Sequence, residues 1–515
     1  MRTYFVPRCG SSTVVMICRA VFLLIGFIFW SVTRLQAADF DFTPTLQRAY
    51  TDILKLKVQD GRRALASEAV GTNGIVLYVD NLADMVTLLV SDDRKLYSQW
   101  SDREDQRLDQ LRELDEHSPW QRFAQAEVRL HWAFVKLKFG QEVSACWDII
   151  RAYKLLEENR KKFPGFLPTY KSLGLLHVMI GAVPENYTWA TRMLGLRGNI
   201  RQGLQEIRTV TQKDAVFQTE ARLIDLLIRA YVLKFTAADA ASIEKMVQEN
   251  PDNLLLHFFA TSVLMKDARS EDALRFLNTR PTGSDYLAFP LLEYLKADIG
   301  LEKANYQQAA GSYRAFLSQY KGVNFLKDTY YKLFLCYWLN EDDAKALPYL
   351  RQVTQVGSAV VESDKAAQKF ADLYFKKGVS PKQKILMKAR LATDGGFYDT
   401  ALATLRPYTE SSFLLAPEKA EFNYRKARIY QRQGEMDEAM PYFEKAISLS
   451  EADQLSYGAT SALQLGYIYQ QKRNLTRARL YFQKALSYKK HEYKNSIDNK
   501  ARAALNELST NSSTP

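Results

Sequence analysis

Between Ala420 and Leu486 the chain writes one helical hairpin twice, and this repetition constrains the fold more than any other feature of its 515 residues. The first copy runs FNYRKARIYQRQGEMDEAMPYFEKAISLS and the second ATSALQLGYIYQQKRNLTRARLYFQKALSYKK. A small residue leads, an aromatic follows three positions later, then an alanine after nine, an aromatic after four and an alanine after three. The copies supply Ala427, Tyr430, Ala439, Phe443, Ala446 and Gly466, Tyr469, Ala478, Phe482, Ala485. Steps of three and four put these side chains on one face of each helix. A single hairpin cannot enclose a core, so it must bury that face against the next copy, and stacking follows.

The spacing resembles the tetratricopeptide repeat, a unit of about 34 residues. That resemblance implies an all-α fold, a TPR-like right-handed superhelical solenoid of helical hairpins with a concave binding surface. Looser copies extend it upstream. Ala124 to Leu156 carries Ala133, Ala145 and Ala152 at the small positions. A first-helix pattern with Tyr170, Leu173, Gly174 and His177 starts at Thr169, after Pro164 and Pro168. Further units read as Leu254 to Leu277, Leu291 to Phe316, Thr329 to Val353 and Ile385 to Tyr408. The anchors Ala401, Ala439 and Ala478 stand 38 and 39 residues apart, which implies long turns between units. Nearer the N-terminus, Thr45 to Ala66 reads as a hairpin turning at Asp60-Gly61, with Asn73-Gly74 as a second turn signal. The expected organisation is a leader (1–37), an N-terminal helical region (38–120), hairpins (121–208), a degenerate array (209–380), a C-terminal array (381–490), a capping helix (491–508) and a disordered tail (509–515).

The leader is an export signal. Arg19 precedes the apolar run Ala20 to Val32, which ends in Thr-Arg-Leu-Gln-Ala-Ala-Asp, so cleavage is expected after Ala37. The run has 13 residues, short of the roughly 20 that cross a bilayer as a helix. Met16 is an alternative start. The competing arrangement is an uncleaved anchor through 20–32, which would give the chain its membrane contact; no other stretch reads as apolar enough to span. The protein is thus expected in the periplasm or cell envelope. The net charge of +12 falls by four, to +8, once Arg2, Arg8, Arg19 and Arg34 leave with the leader. Acidic and basic residues are interleaved in the remainder, which argues for solvated helix faces and against nucleic acid. Beyond the leader only Cys146 and Cys336 remain, both expected as buried free thiols.

One segment departs from the repeat. Gly181 to Gly203 (GAVPENYTWATRMLGLRGNIRQG) holds five Gly and Pro breakers, so it is expected to interrupt the solenoid and divide it into two arrays. Trp189, Met193 and Leu194 share a face and are expected to pack on neighbouring repeats. Asn199 with Gln202 resembles a capping box. The stretch Leu173 to Leu204 resembles a motif in exported tetratricopeptide proteins of Gram-negative bacteria and, more distantly, in the eukaryotic tetratricopeptide repeat protein 39 family. Neither resemblance supplies a catalytic residue; both imply interaction or scaffolding.

Chemistry-bearing constellations are lacking in the sequence. The five histidines (His117, His131, His177, His257, His491) show no metal-ligand spacing, and His131 and His177 are expected to be packed. Neither a zinc-protease helix, a nucleophile elbow nor a phosphate loop occurs. Asp102/Glu104 and Asp342/Asp343 lie in charge runs and read as solvated surface. The expectation is a non-enzymatic scaffold with no cofactor and no metal, binding a protein or an acidic, carboxylate-bearing peptide. A surface glycan-binding protein of the starch-utilisation type is the rival class, although Ala37-Ala38-Asp39 offers no lipidated cysteine; an envelope hydrolase is the third. Carried over from the repeat, the inward first-helix positions are Tyr294, Tyr331, Trp338, Arg390, Tyr424, Arg428, Arg432, Tyr467 and Gln470. Aromatic and arginine side chains of this kind favour binding hot spots. N-terminal sequencing of the exported protein should start at or near Ala38; a chain that still carries Arg19 to Val32 would replace release by anchoring.

Overall fold

The computed structural model describes residues 40–68, 73–183, 188–233, 235–491 and 494–510. The leader with its two cysteines, Pro184 and the tail from Asn511 lie outside these residues. Helices account for the architecture, and no β-strand forms among the described residues. In chain order they are α1 (Pro44–Leu54), α2 (Val58–Ala66), α3 (Gly74–Ser91), α4 (Arg94–Trp100), α5 (Arg103–Arg112), α6 (Pro119–Lys138), α7 (Glu142–Lys162), α8 (Pro168–Gly181) and α9 (Thr188–Met193). There follow α10 (Ile200–Lys213), α11 (Gln218–Tyr231), α12 (Ala237–Glu249), α13 (Leu254–Lys266), α14 (Ser270–Asn278), α15 (Leu291–Glu302), α16 (Tyr306–Gln319), α17 (Leu326–Trp338), α18 (Asp343–Val353) and α19 (Glu362–Lys377). The C-terminal part comprises α20 (Gln383–Gly395), α21 (Tyr398–Leu405), α22 (Ala416–Gln433), α23 (Met436–Ser450), α24 (Ser456–Gln471), α25 (Leu475–Ser487) and the capping α26 (Lys494–Thr510).

Eight hairpins share one turn: α1/α2, α6/α7, α13/α14, α15/α16, α17/α18, α20/α21, α22/α23 and α24/α25. In each, a single residue with φ between +58° and +88° stands two positions before the second helix. These are Leu56, Gly140, Ala268, Ala304, Glu341, Gly396, Gly434 and Arg473. The next N–H then reaches back to the carbonyl five residues before it, at 2.8–3.0 Å in all eight, as in Asn305 N to Gly300 O or Asn474 N to Tyr469 O. This is the Schellman closure, which satisfies a carbonyl the helix end would otherwise leave open. It also corrects the expected first turn. Leu56 makes that turn, while Asp60-Gly61 lies inside α2. Gly61 is glycine for proximity, since a Cβ there would stand 2.5 Å from Ile53 Cγ1. The repeat pattern has the same meaning at Gly466, where a Cβ would lie 2.4 Å from the Phe482 ring.

The irregular element turns out to sit within a hairpin instead of between arrays. α8 packs directly on α10. A Cβ on Gly203 would be 2.3 Å from Gly174 O, and one on Gly198 2.1 Å from Gly181 N. This glycine-on-glycine contact leaves no space between the helices, so α9 lies to one side of them. Trp189, Met193 and Leu194 are therefore exposed, at 62%, 79% and 40%, and do not pack on neighbouring repeats. The core runs unbroken from Phe40 to Leu391, so the array is not divided here, and the boundary expected at 208 falls inside α10. Asn199 does cap α10, accepting from Gln202 N at 3.0 Å.

Long-range contacts bend the stack back on itself. Leu287 N donates to Leu56 O at 2.7 Å, and Lys55 pairs with Asp252 at 2.7 Å. Asp92 accepts from Tyr320 Oη and from Asn324 N (3.2 Å) and Nδ2 (3.1 Å). The N-terminal helices thereby rest on the loops that precede α15 and α17. Further on, α20 lies against α13 and α15. Gly396 makes that approach possible: a Cβ would sit 1.9 Å from Ala268 O. α3 is long and apolar enough to cross a membrane, contrary to the expectation for the region beyond the leader, but 72% of it is buried as a core helix. Cys336 is buried as expected; Cys146 is exposed, because its face of α7 also carries exposed Val143 and Trp147.

At the centre of the N-terminal half the ammonium of Lys171, fully buried, stands 2.5 Å from Glu127 Oε2 and 3.3 Å from Glu220 Oε1. The rings of Phe123 and Phe217 flank it at 5.4 and 5.3 Å, and Ser172 Oγ donates to Glu127 Oε1 at 2.5 Å. One cation thus joins α6, α8 and α11. Removing a partner from a buried charge group leaves the others uncompensated. Lys171→Met should lower stability by about 3–5 kcal/mol, read as a shifted urea midpoint. The triple change with Glu127→Leu and Glu220→Leu should recover most of that loss, because no buried charge is then left alone.

Candidate functional site

The inward first-helix positions separate into two groups. Tyr294, Tyr331, Trp338 and Arg390 are buried, which corrects their expected exposure to a groove. Tyr294 Oη donates to Asp328 and receives Lys332 Nζ at 2.6 Å, while Tyr331 packs on Phe370 with ring centres 4.8 Å apart. Trp338 stacks on Phe334 and is covered by Lys384 Nζ at 5.6 Å. Arg390 faces Asp394 at 3.6 Å. The physical reason is that the next helices cover those positions: α17 packs over Tyr294, α19 over Tyr331, Lys384 of α20 over Trp338, and Arg390 lies on the α20 that folds back against α13 and α15.

The second group lies on α22 and α24 and stays accessible. Arg432 is exposed; Tyr424, Arg428, Tyr467 and Gln470 are half-buried. Tyr424 packs on Tyr457, and Tyr467 meets Phe482 edge-on at 5.3 Å. Arg428 differs from its neighbours. Arg390 and Arg425 each face a carboxylate, Asp394 and Glu421. Arg428 instead donates to two amide oxygens, Gln431 Oε1 at 2.5 Å and Gln464 Oε1 at 3.1 Å, and no carboxylate stands within ion-pair distance of it among the described residues. Burial, with help from nearby Arg432, holds its pKa below the ordinary value, as expected of a partly desolvated cation without a counter-charge. The basic strip expected from Arg390, Arg428 and Arg432 therefore reduces to the last two.

A cavity that the sequence did not reveal opens between α4, α5 and the α6/α7 hairpin. It encloses about 720 Å³. Tyr97, Trp132, Phe139 and Trp147 supply its aromatic walls, Arg94, Arg129, Lys136 and Arg151 its cations, and Glu104, Asp105 and Asp148 its carboxylates. Asp102 is on the solvated surface as expected, but Glu104 is only 5% exposed. Lys136 Nζ donates to Glu104 Oε2 and to Asp148 Oδ2 at 2.6 Å, one ammonium shared by two carboxylates. Burial and the charge of Asp148 outweigh this shared cation and push the Glu104 carboxyl up to about 7. In the sequence Glu104 is one member of a charge run; on α5 it turns inward while Asp102 and Asp105 stay in water.

His131 is packed against Asn81 Nδ2 at 2.9 Å, and His177 contacts Glu206 Oε2 at 2.6 Å, so both have structural roles. No group of three metal-binding side chains occurs among the described residues.

Residues 418–490 match the tetratricopeptide repeat family. No curated protein matches the chain. Among solved structures, the TPR domain of P58(IPK) is 12% identical, covers 82% of this chain and 98% of its own, and has a TM-score of 0.21. A monomeric mutant of IFIT1 with m7Gppp-AAAA is 13% identical, with 79% and 90% covered and a TM-score of 0.30. The APC/C hetero-tetramer Cut9–Hcn1 is also 13% identical, with 91% and 100% covered and a TM-score of 0.22. All three are low in identity and in TM-score, and none supplies a ligand or a site to this chain.

The raised Glu104 carboxyl carries a pH signature. The folded state holds this proton more tightly than the unfolded one, so its stabilising contribution is complete below the ordinary value of 4.5 and is lost as pH rises through about 7. Glu104→Gln should therefore flatten the fall in thermal midpoint between those two values. An unchanged slope would place the titration elsewhere.

Proposed function

We infer that the protein is a non-enzymatic scaffold that captures an acidic segment of a protein partner on the face made by α22 and α24. The observation that carries this reading is Arg428. Its guanidinium is half-buried, oriented by Gln431 and Gln464, and answered by amide dipoles instead of a carboxylate. A carboxylate from a partner would provide the missing charge in a two-donor geometry that guanidinium favours. Arg432, exposed one turn further along α22, offers a second contact, and Tyr424 lies one turn before Arg428 on the same helix. The tetratricopeptide match over 418–490 supports the reading, because stacked repeats of this kind present extended binding surfaces. The export signal read in the leader supports capture in the cell envelope, in keeping with the resemblance to exported Gram-negative repeat proteins. The groove positions upstream of α22 take no part, since they are buried.

The test is crosslinking in the native envelope followed by affinity capture. Arg428→Ala with Arg432→Ala should lower partner recovery severalfold. The fold should hold, because changes at accessible positions of this kind typically shift stability by about 0.5 kcal/mol or less. Undiminished recovery from a folded double variant would assign these arginines to packing alone.

A further inference from the structure

We propose that the cavity between α4, α5 and the α6/α7 hairpin is a saccharide-binding site, separate from the peptide-binding face on α22 and α24. Three observations meet there. Glu104 lines the cavity and is about nineteen-twentieths buried, at 5% exposure, yet its Oε1 has no hydrogen-bond partner among the described residues. A buried acceptor without a donor is costly, and a ligand that supplies the donor recovers that cost. On the same cavity, Trp147 exposes 52% of its surface, and Tyr97 presents a ring that stacks on Phe139 with centres 4.3 Å apart. Finally, guanidinium donors remain on the rim: Arg94 is exposed, and Arg151 approaches Asp148 only at 4.0 Å.

The class of ligand follows by elimination. A cationic side chain would satisfy Glu104 but would meet Arg94, Arg129, Lys136 and Arg151 against only Glu104, Asp105 and Asp148. A carboxylate or phosphate would suit the arginines but would place its charge beside the unpartnered Glu104 oxygen. A neutral polyhydroxyl ring resolves both difficulties. Each hydroxyl is a donor and an acceptor at once, so neighbouring hydroxyls can give to Glu104 Oε1 and receive from a guanidinium. The apolar C–H face of such a ring lies against the indole of Trp147. A volume of about 720 Å³ is that of a small-ligand pocket.

The test is calorimetric titration of the full chain with maltohexaose, cellohexaose and chitohexaose, alongside an oligogalacturonate and a hexa-arginine peptide. At least one neutral hexasaccharide should bind with a sub-millimolar Kd and alter tryptophan fluorescence. Trp147→Ala, at an exposed position that should leave the fold intact, should weaken that binding about tenfold, a loss of roughly 1.4 kcal/mol. Arg94→Ala, also exposed, should weaken it severalfold. The proposal fails if no neutral saccharide binds, if only the acidic oligosaccharide or the arginine peptide does, or if Trp147→Ala binds as tightly as the parent. Circular dichroism melts of both variants separate loss of binding from loss of structure.

Discussion

A left-handed residue followed by an N–H that reaches five residues back closes eight of the hairpins in this chain, and the array depends on that closure. The turn fixes how far the second helix starts from the first and at what angle it leaves. Only then do the small positions of one helix fall opposite the rings of the next, as Gly466 falls opposite Phe482. The geometry is not free. Five of the eight left-handed residues carry side chains, at an intrinsic cost of about 1–2 kcal/mol each. The cost is offset locally by the satisfied carbonyl and globally by burial of two apolar helix faces. A solenoid can bear such turns because every hairpin is held from both sides by its neighbours.

Where the turn is missing, other interactions hold the stack together. α8 and α10 meet through glycine-on-glycine contact, with the short α9 and its exposed Trp189 and Met193 beside them. The same α8 contributes Lys171, whose ammonium bridges Glu127 on α6 and Glu220 on α11. A buried charge group of this kind is a poor source of net stability, since desolvation consumes much of the attraction. Its effect is geometric. Three helices must meet at one cation, and alternative registers of α8 would strand a charge in the core. The least regular hairpin in the array is thus also one with a buried charge group at its core.

The sequence made the hairpins legible where their constraint falls on residue size. Ala427, Gly466 and their aromatic partners could be read because only small residues fit opposite a ring. Gly140, Gly396 and Gly434 mark three of the shared turns openly. The other five turns were invisible, because leucine, alanine, glutamate and arginine do not announce a left-handed backbone. This is why Asp60-Gly61 drew attention away from Leu56. Curvature was equally hidden. The contacts that bend the stack, Lys55 with Asp252 and Asp92 with Asn324, join residues 197 and 232 apart in sequence. Tyr294, Tyr331, Trp338 and Arg390 therefore occupy the inward positions their pattern assigns, yet inward here means enclosed. Glu104 shows the converse: a charge run looks solvated until one of its members rotates onto the buried face of its helix.

Closure of the middle of the array decides where ligands can reach it. With the N-terminal helices resting on the loops before α15 and α17, and α20 lying on α13 and α15, the two surfaces considered above lie on either side of this closed stretch. The two surfaces differ in electrostatic character. On α22 a cation is oriented by neutral amides, so its charge is available to a partner, and partial burial protects that attraction from salt better than an exposed pair would be. In the cavity beside α5, Lys136 is already paired with Glu104 and Asp148, and what faces a ligand is an unmet acceptor oxygen, the guanidinium groups on the rim and a set of rings. A surface with surplus charge selects a charged ligand and does so over a distance. One whose central charges are already paired, with an unmet hydrogen bond, selects by shape and by the placement of hydroxyls. The same helical scaffold, bent back upon itself, therefore supports two recognition modes that need not compete.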